Sequence, residues 1–209
     1  MREALDTTTP FSTIDPMVSK RLKPLDEALS FGNWATIIQE DDDLRIRLIE
    51  QGVKDPENRS SISWDDANLF FLSCVDLKDG KPFPLEAGVS KEKFGRFPYG
   101  DGSSITYIQN WIRENKRMEG FDELCELLDL LSGRLAETEK GRGVGGLILK
   151  GWLSIEEVKR LKKLITSRCW LPAADEPLDG GCQDSAKHFV ALLRAAEKRN
   201  CGILLRIHD

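Results

Sequence analysis

Apolar positions recur along this chain in two rhythms, and the order in which they change sets the expected architecture. From Pro24 to Gly52 the spacing is helical in two pieces. Leu25, Ala28 and Leu29 lie on one face, then Trp34, Ile37 and Ile38, and beyond the acidic run a further turn carries Leu44, Leu48 and Ile49 inward. Gly52 follows where a helix commonly stops on a left-handed residue. Helical spacing returns with Ile105, Ile108, Trp111 and Ile112, behind Ser103-Ser104, where a serine oxygen can cap the first free amides. After Gly120 the positions Leu124, Leu127, Leu128 and Leu131 form another stripe, so this middle segment reads as an αα-hairpin.

The last third is the most explicit. A short apolar run, Leu147-Ile148-Leu149, reads as a strand. Ser154 and Glu157 then form a capping box, with Leu153 and Val158 as a hydrophobic staple, so a helix begins at Ile155 and ends near Trp170-Leu171-Pro172. Phe189, Leu192, Leu193 and Ala196 mark a helix of about four turns, followed by Gly202 and a strand from Ile203 to Ile207. The order β-α-α-β, behind a largely helical front half, predicts an α+β fold, mostly helical with a small sheet.

Two segments resist the rhythms. Residues 1–16 are rich in Thr, Ser and Pro and read as an N-terminal tail or surface arm whose loss should matter little, with 17–209 as a single globular domain. Residues 63–86 admit two patterns: Ser63-Trp64-Asp65-Asp66 has the form of a helix cap, whereas Leu69 to Leu77 before Lys78-Asp79-Gly80 has the form of a hairpin. The hairpin is the preferred reading. Residues 87–104, with four glycines and a proline, read as loop.

Composition narrows the class. With 40% hydrophobic and 31% charged residues, the 209-residue chain has the apolar content of a folded protein. No apolar run approaches the roughly 20 residues that span a bilayer, and the opening MREALDTTTPF lacks the apolar region of a signal peptide, so a cytoplasmic location is expected. Five scattered cysteines, an odd number, point to reduced thiols rather than a disulfide framework.

The net charge of −5 sits in the first half: residues 1–100 hold eighteen acids and thirteen bases, and 101–209 hold seventeen of each. Within 37–66 alone, nine acids face four bases. That region would repel a phosphate backbone, and with a pI near 5.3 nucleic acid is not an expected partner.

Motifs of specific chemistry are weak. The glycines of Gly143-Val144-Gly145-Gly146 precede a strand, whereas nucleotide-binding loops place theirs between a strand and a helix. His188 and His208 share the C-terminal segment with Cys169, Cys182 and Cys201, without the tight pair that opens a zinc site. The run Glu40-Asp41-Asp42-Asp43 and the pair Asp65-Asp66 offer hard oxygen ligands, but adjacent aspartates diverge around a helix and lack the alternation of a calcium loop. No cofactor or metal is expected. Lys159, Lys162, Lys163 and Arg168 suit the C-terminal end of their own helix. Of five tryptophans, Trp34 and Trp111 belong to apolar stripes, while Trp64 and Trp170 are candidates for an interface.

The leading expectation is therefore a non-enzymatic binding protein, in the manner of an inhibitor or immunity protein. Glu40, Asp41, Asp42, Asp43, Trp64, Asp65 and Asp66 would form an acidic face for a basic protein partner. The alternative is a carboxylate-dependent hydrolase or nucleotide-handling enzyme using Asp101, Ser103 or the acidic run.

Overall fold

The structure, a computed structural model, describes residues 11–85, 103–177 and 180–208. A four-stranded antiparallel sheet in the order β1-β8-β6-β5 forms its middle layer, where β1 is Phe11–Met17, β5 Arg142–Gly143, β6 Leu147–Leu153 and β8 Gly202–His208. On one face lie α1 (Ser19–Phe31), α2 (Trp34–Glu40), α3 (Asp42–Glu50) and α4 (Asp66–Cys74). On the other lie α5 (Ser104–Trp111), α6 (Phe121–Gly133), α7 (Ile155–Ser167) and α8 (Gly181–Lys198). The fold is mixed α+β and mostly helical; in the C-terminal third β6, α7, α8 and β8 follow the β-α-α-β order that the sequence implies, with a short strand, Trp170–Pro172, between the two helices.

The sheet is buried on both faces, which explains why β8 is apolar at nearly every position instead of alternating. Leu204 joins the core beneath α1–α4, while Ile203 and Leu205 join the core beneath α5–α8. Strand β6 serves both cores, and a bulge changes which of its positions face which. Its register against β8 slips between Leu149 and Gly151, so Leu147 and Leu149 before the slip and Trp152 after it all face the α1–α4 core, and Leu153 faces the other. Gly151 sits where a Cβ would come within 2.1 Å of the Leu130 carbonyl oxygen, so the end of α6 can approach β6 only over a glycine.

The capping box reads directly. The Ser154 oxygen accepts from the Glu157 amide at 3.3 Å, and the Glu157 carboxylate accepts from the Ser154 amide at 2.7 Å. Its acid also holds Arg134, which lies over the Trp152 ring at 3.9 Å. Gly52, with φ 89°, stands one residue past the C-cap of α3.

Four expectations need correction. Residues 11–16 are not a tail: they belong to β1, which pairs with β8 from Phe11↔His208 to Met17↔Gly202. Ser12, Thr13 and Asp15 are buried there, and Arg206 donates to Asp15 through Nε at 2.6 Å and Nη2 at 3.2 Å. A polar strand lacks apolar alternation, and its buried charge is satisfied from the neighbouring strand, a pairing no local pattern reveals. Residues 1–10 lie outside the described part. The 63–86 segment is first helix, then hairpin: Asp65 caps α4, and a two-residue Asp79-Gly80 turn with φ 53° and 72° joins β2 (Leu77–Lys78) to β3 (Lys81–Pro82). The run from Leu69 is helix as far as Cys74, its hydrophobicity reflecting the full burial of Leu69, Phe70 and Cys74, and Leu77 already belongs to β2. Ile49 points outward, 52% exposed, because it lies about 100° around the helix from Leu48. The αα-hairpin is interrupted: Ile112–Glu114 is strand β4, paired with β7 (Trp170–Pro172). The 87–104 loop reading falls almost wholly outside the described residues.

Candidate functional site

The acidic residues singled out from sequence are built into the fold in different ways. Asp41 is the N-cap of α3, its carboxylate accepting from the Leu44 amide at 3.0 Å. The buried Arg21 guanidinium grips the same carboxylate with two bonds of 2.7 Å, and Lys20 stands 3.4 Å away. That bidentate pair above all, with the cap amide, holds the Asp41 carboxyl well below the usual carboxylate range. Asp65 caps α4 through the Asn68 amide at 2.8 Å and also accepts from the Val144 amide at 3.1 Å. Those hydrogen bonds lower its carboxyl against the opposing effect of burial. Asp66 pairs with Arg59, which also donates to the carbonyl oxygens of Ile62 and Trp64.

These partners divide the seven residues into two groups. Asp41 lies by the C-terminal end of α4, because Arg21 that holds it also reaches the Ser73 carbonyl oxygen at 3.4 Å. Asp65 and Asp66 open the same helix, roughly 12 Å away at 1.5 Å per residue. Trp64 is half-buried against the α1–α4 core. Glu40, Asp42 and Asp43 are exposed, and Asp42 pairs with Arg45 at 2.9 Å.

The group around α3 has a feature that charge counting missed. Leu44 and Leu48 bury the inner face, and the outer face carries Ile46 and Ile49, 51% and 52% exposed, among Asp42, Asp43 and Glu50. Asp43, Ile46 and Glu50 line a groove of about 300 Å³ with Leu77 and Gly80 of the β2–β3 hairpin and with Arg47, whose guanidinium donates to the Leu72 and Val75 carbonyl oxygens. Large apolar side chains standing in water inside an acidic rim are the composition of a recognition surface. The signal was present in the sequence as four apolar residues in a nine-residue helix, two more than one buried stripe uses.

Other candidates resolve into structure. The glycine-rich run forms the β5–β6 turn, with φ 80° at Gly145 and 75° at Gly146. Its Val144 amide is taken by Asp65, and a Cβ on Gly143 would come within 2.7 Å of Asn68 Nδ2. Trp170, offered as an interface residue, is buried and donates from Nε1 to the Ile165 carbonyl oxygen at 3.0 Å. Trp34 is buried as expected, donating to the Pro56 carbonyl oxygen at 2.8 Å, while Trp111 is partly buried. All five cysteines are free thiols. Burial pushes the Cys182 thiol up to about 12, with Glu176 adding to the effect, and the Cys201 thiol up to about 11. Such groups are poor nucleophiles at neutral pH. His188 stands with Nδ1 2.7 Å from the Asp184 carbonyl oxygen in its own helix. Ser103 is the N-cap of α5, accepting from the Thr106 amide at 3.4 Å, and Asp101 lies outside the described residues. Among the described residues, no group of three His, Cys, Asp or Glu is placed to hold a metal ion, and no helix is long and apolar enough to cross a membrane.

Fold and site together define an α+β protein with a sheet between two helical layers and an apolar-acidic helix face on its surface. Comparison with protein-family models, with curated proteins and with solved structures finds no match to the chain.

Proposed function

We propose that this is a protein-binding module that engages a basic protein partner through the outer face of α3, in a cytoplasmic setting that suits five free thiols. The observation that carries the reading is the exposure of Ile46 and Ile49 inside the rim of Asp43 and Glu50. Apolar anchors would supply the contact area and the acids would steer a cationic partner. Of the residues proposed from sequence, Asp42 and Asp43 belong to this surface and Glu40 flanks it. Asp41, Asp65 and Asp66 hold the fold through Arg21, the Val144 amide and Arg59, so they shape the surface without meeting the partner.

The test is affinity capture from the native host with the wild-type chain and with Ile46→Ser and Asp43→Lys/Glu50→Lys variants, followed by association kinetics at two salt concentrations. The reading expects the variants to lose the captured protein, and the wild-type association rate to fall as salt rises. A captured protein held equally by all three chains would remove α3 from the function.

A further inference from the structure

A second surface lies on the opposite helical layer. Between the end of α7, strand β7 and helix α8 runs a groove of about 580 Å³, lined among others by Arg168, Leu171, Lys187, Val190 and Arg194. Arg168, Lys187 and Arg194 are exposed, and no ion pair holds them among the described residues. Leu171 is 49% exposed beside them. Asp184 is the carboxylate in the lining.

The spacing in this groove matches that on α3. Lys187, Val190 and Arg194 follow one another at i, i+3 and i+7 on α8; Asp43, Ile46 and Glu50 do the same on α3. Residues seven apart on a helix lie on one face about 10.5 Å apart, so the charges on the two elements stand at equal intervals with opposite signs; Ile46 between them is exposed on α3, whereas Val190 on α8 is buried and Leu171 is the exposed apolar side chain of the groove. Ile49 and Leu171 add exposed apolar area on the two sides.

We propose that the partner of the α3 face is a second copy of this chain, which is acidic as a whole but receives α3 in its basic α7–β7–α8 groove. The assignment rests on the reading of α3 as the binding surface and adds the identity of the partner. Asp43 and Glu50 pair with Lys187 and Arg194, and Ile46 and Ile49 cover Leu171. Two different surfaces meet, so the contact is head-to-tail.

The test is sedimentation over a range of protein concentrations with two charge-reversed variants, Asp43→Lys/Glu50→Lys and Lys187→Glu/Arg194→Glu, circular dichroism verifying the fold of each. The wild type associates, more weakly as salt rises from about 0.05 M to about 0.5 M. Each variant alone stays monomeric, at least tenfold weaker in association, because both of its surfaces then carry one sign. An equimolar mixture of the two associates again, since the basic α3 of one faces the acidic groove of the other. A monomeric wild type, variants that associate like the wild type, or a mixture that stays monomeric overturns the assignment. If the wild type is monomeric while Asp43→Lys/Glu50→Lys still abolishes capture of another protein, self-association alone fails and the binding role of α3 stands.

Discussion

Asp41 and Arg21 illustrate how an acidic run in sequence becomes part of a scaffold. Arg21 is 4% exposed and takes its counter-charge from a cap residue twenty positions away. Asp41→Asn would leave that buried charge uncompensated, a change expected to cost about 3 kcal/mol. The folded carboxyl is depressed, so its contribution is present in full above the ordinary carboxyl range and lost as pH falls through the folded value. Urea unfolding should therefore show a large gap between wild type and Asp41→Asn near about pH 7 and a smaller one near about pH 3; a gap unchanged at the lower pH would mean that Arg21 does not act through this charge. Ser73 poses the opposite case. Its hydroxyl is fully buried without a hydrogen-bond partner among the described residues, so Ser73→Ala should raise stability by about 1 kcal/mol, and a loss of stability would reveal a partner for it. Neither the Arg21–Asp41 pair nor the unpartnered Ser73 hydroxyl is legible in the sequence, because both depend on which helix ends meet in space.

Elements whose signals are local were read correctly. The Ser154–Glu157 capping box, the serine cap of α5 and the Asp79-Gly80 turn rest on side chains within a few residues of one another, and each appears in the structure. Ser154→Ala should accordingly cost about 1 kcal/mol, measured as a lower urea midpoint, and no change would mean that Glu157 and Arg134 secure the start of α7 without the hydroxyl. Elements whose signals are distant were misread. Strand β1 is polar because Asp15 faces Arg206 across the sheet, and α4 looked like a strand because burial made Leu69, Phe70 and Phe71 a continuous apolar run. Ile49 reads as inward from the sequence for a related reason: hydrophobicity alone does not tell a core position from a recognition position. The strand predicts its own test. Removing residues 1–17 strips the sheet of β1 and the buried Met17, exposing the edge of β8, so the truncated chain should aggregate or unfold, whereas a truncated chain with wild-type stability would restore the idea of a surface arm.

At the scale of the molecule, the two apolar cores share one sheet, and β8 is the element through which they communicate. Leu204 and Leu205 are adjacent in sequence, 0% and 1% exposed, and enter opposite cores. Truncating either leaves a cavity of similar size, so Leu204→Ala and Leu205→Ala should each cost about 3 kcal/mol. If the sheet couples the layers, both variants lower the midpoint of one transition, with the same dependence on urea and coincident signals from tryptophan fluorescence and circular dichroism. The fluorescence is informative because Trp34 and Trp152 lie in the α1–α4 core while Trp170 lies in the other. Should Leu204→Ala melt the α1–α4 layer ahead of the α5–α8 layer, the unfolding curve would split in two, and the cores would then be independent units joined by a strand. The bulge in β6 favours the coupled outcome. It leaves Leu147 and Leu149 before Lys150 and Trp152 after it in the α1–α4 core, with Leu153 in the α5–α8 core, so one strand is anchored in both layers.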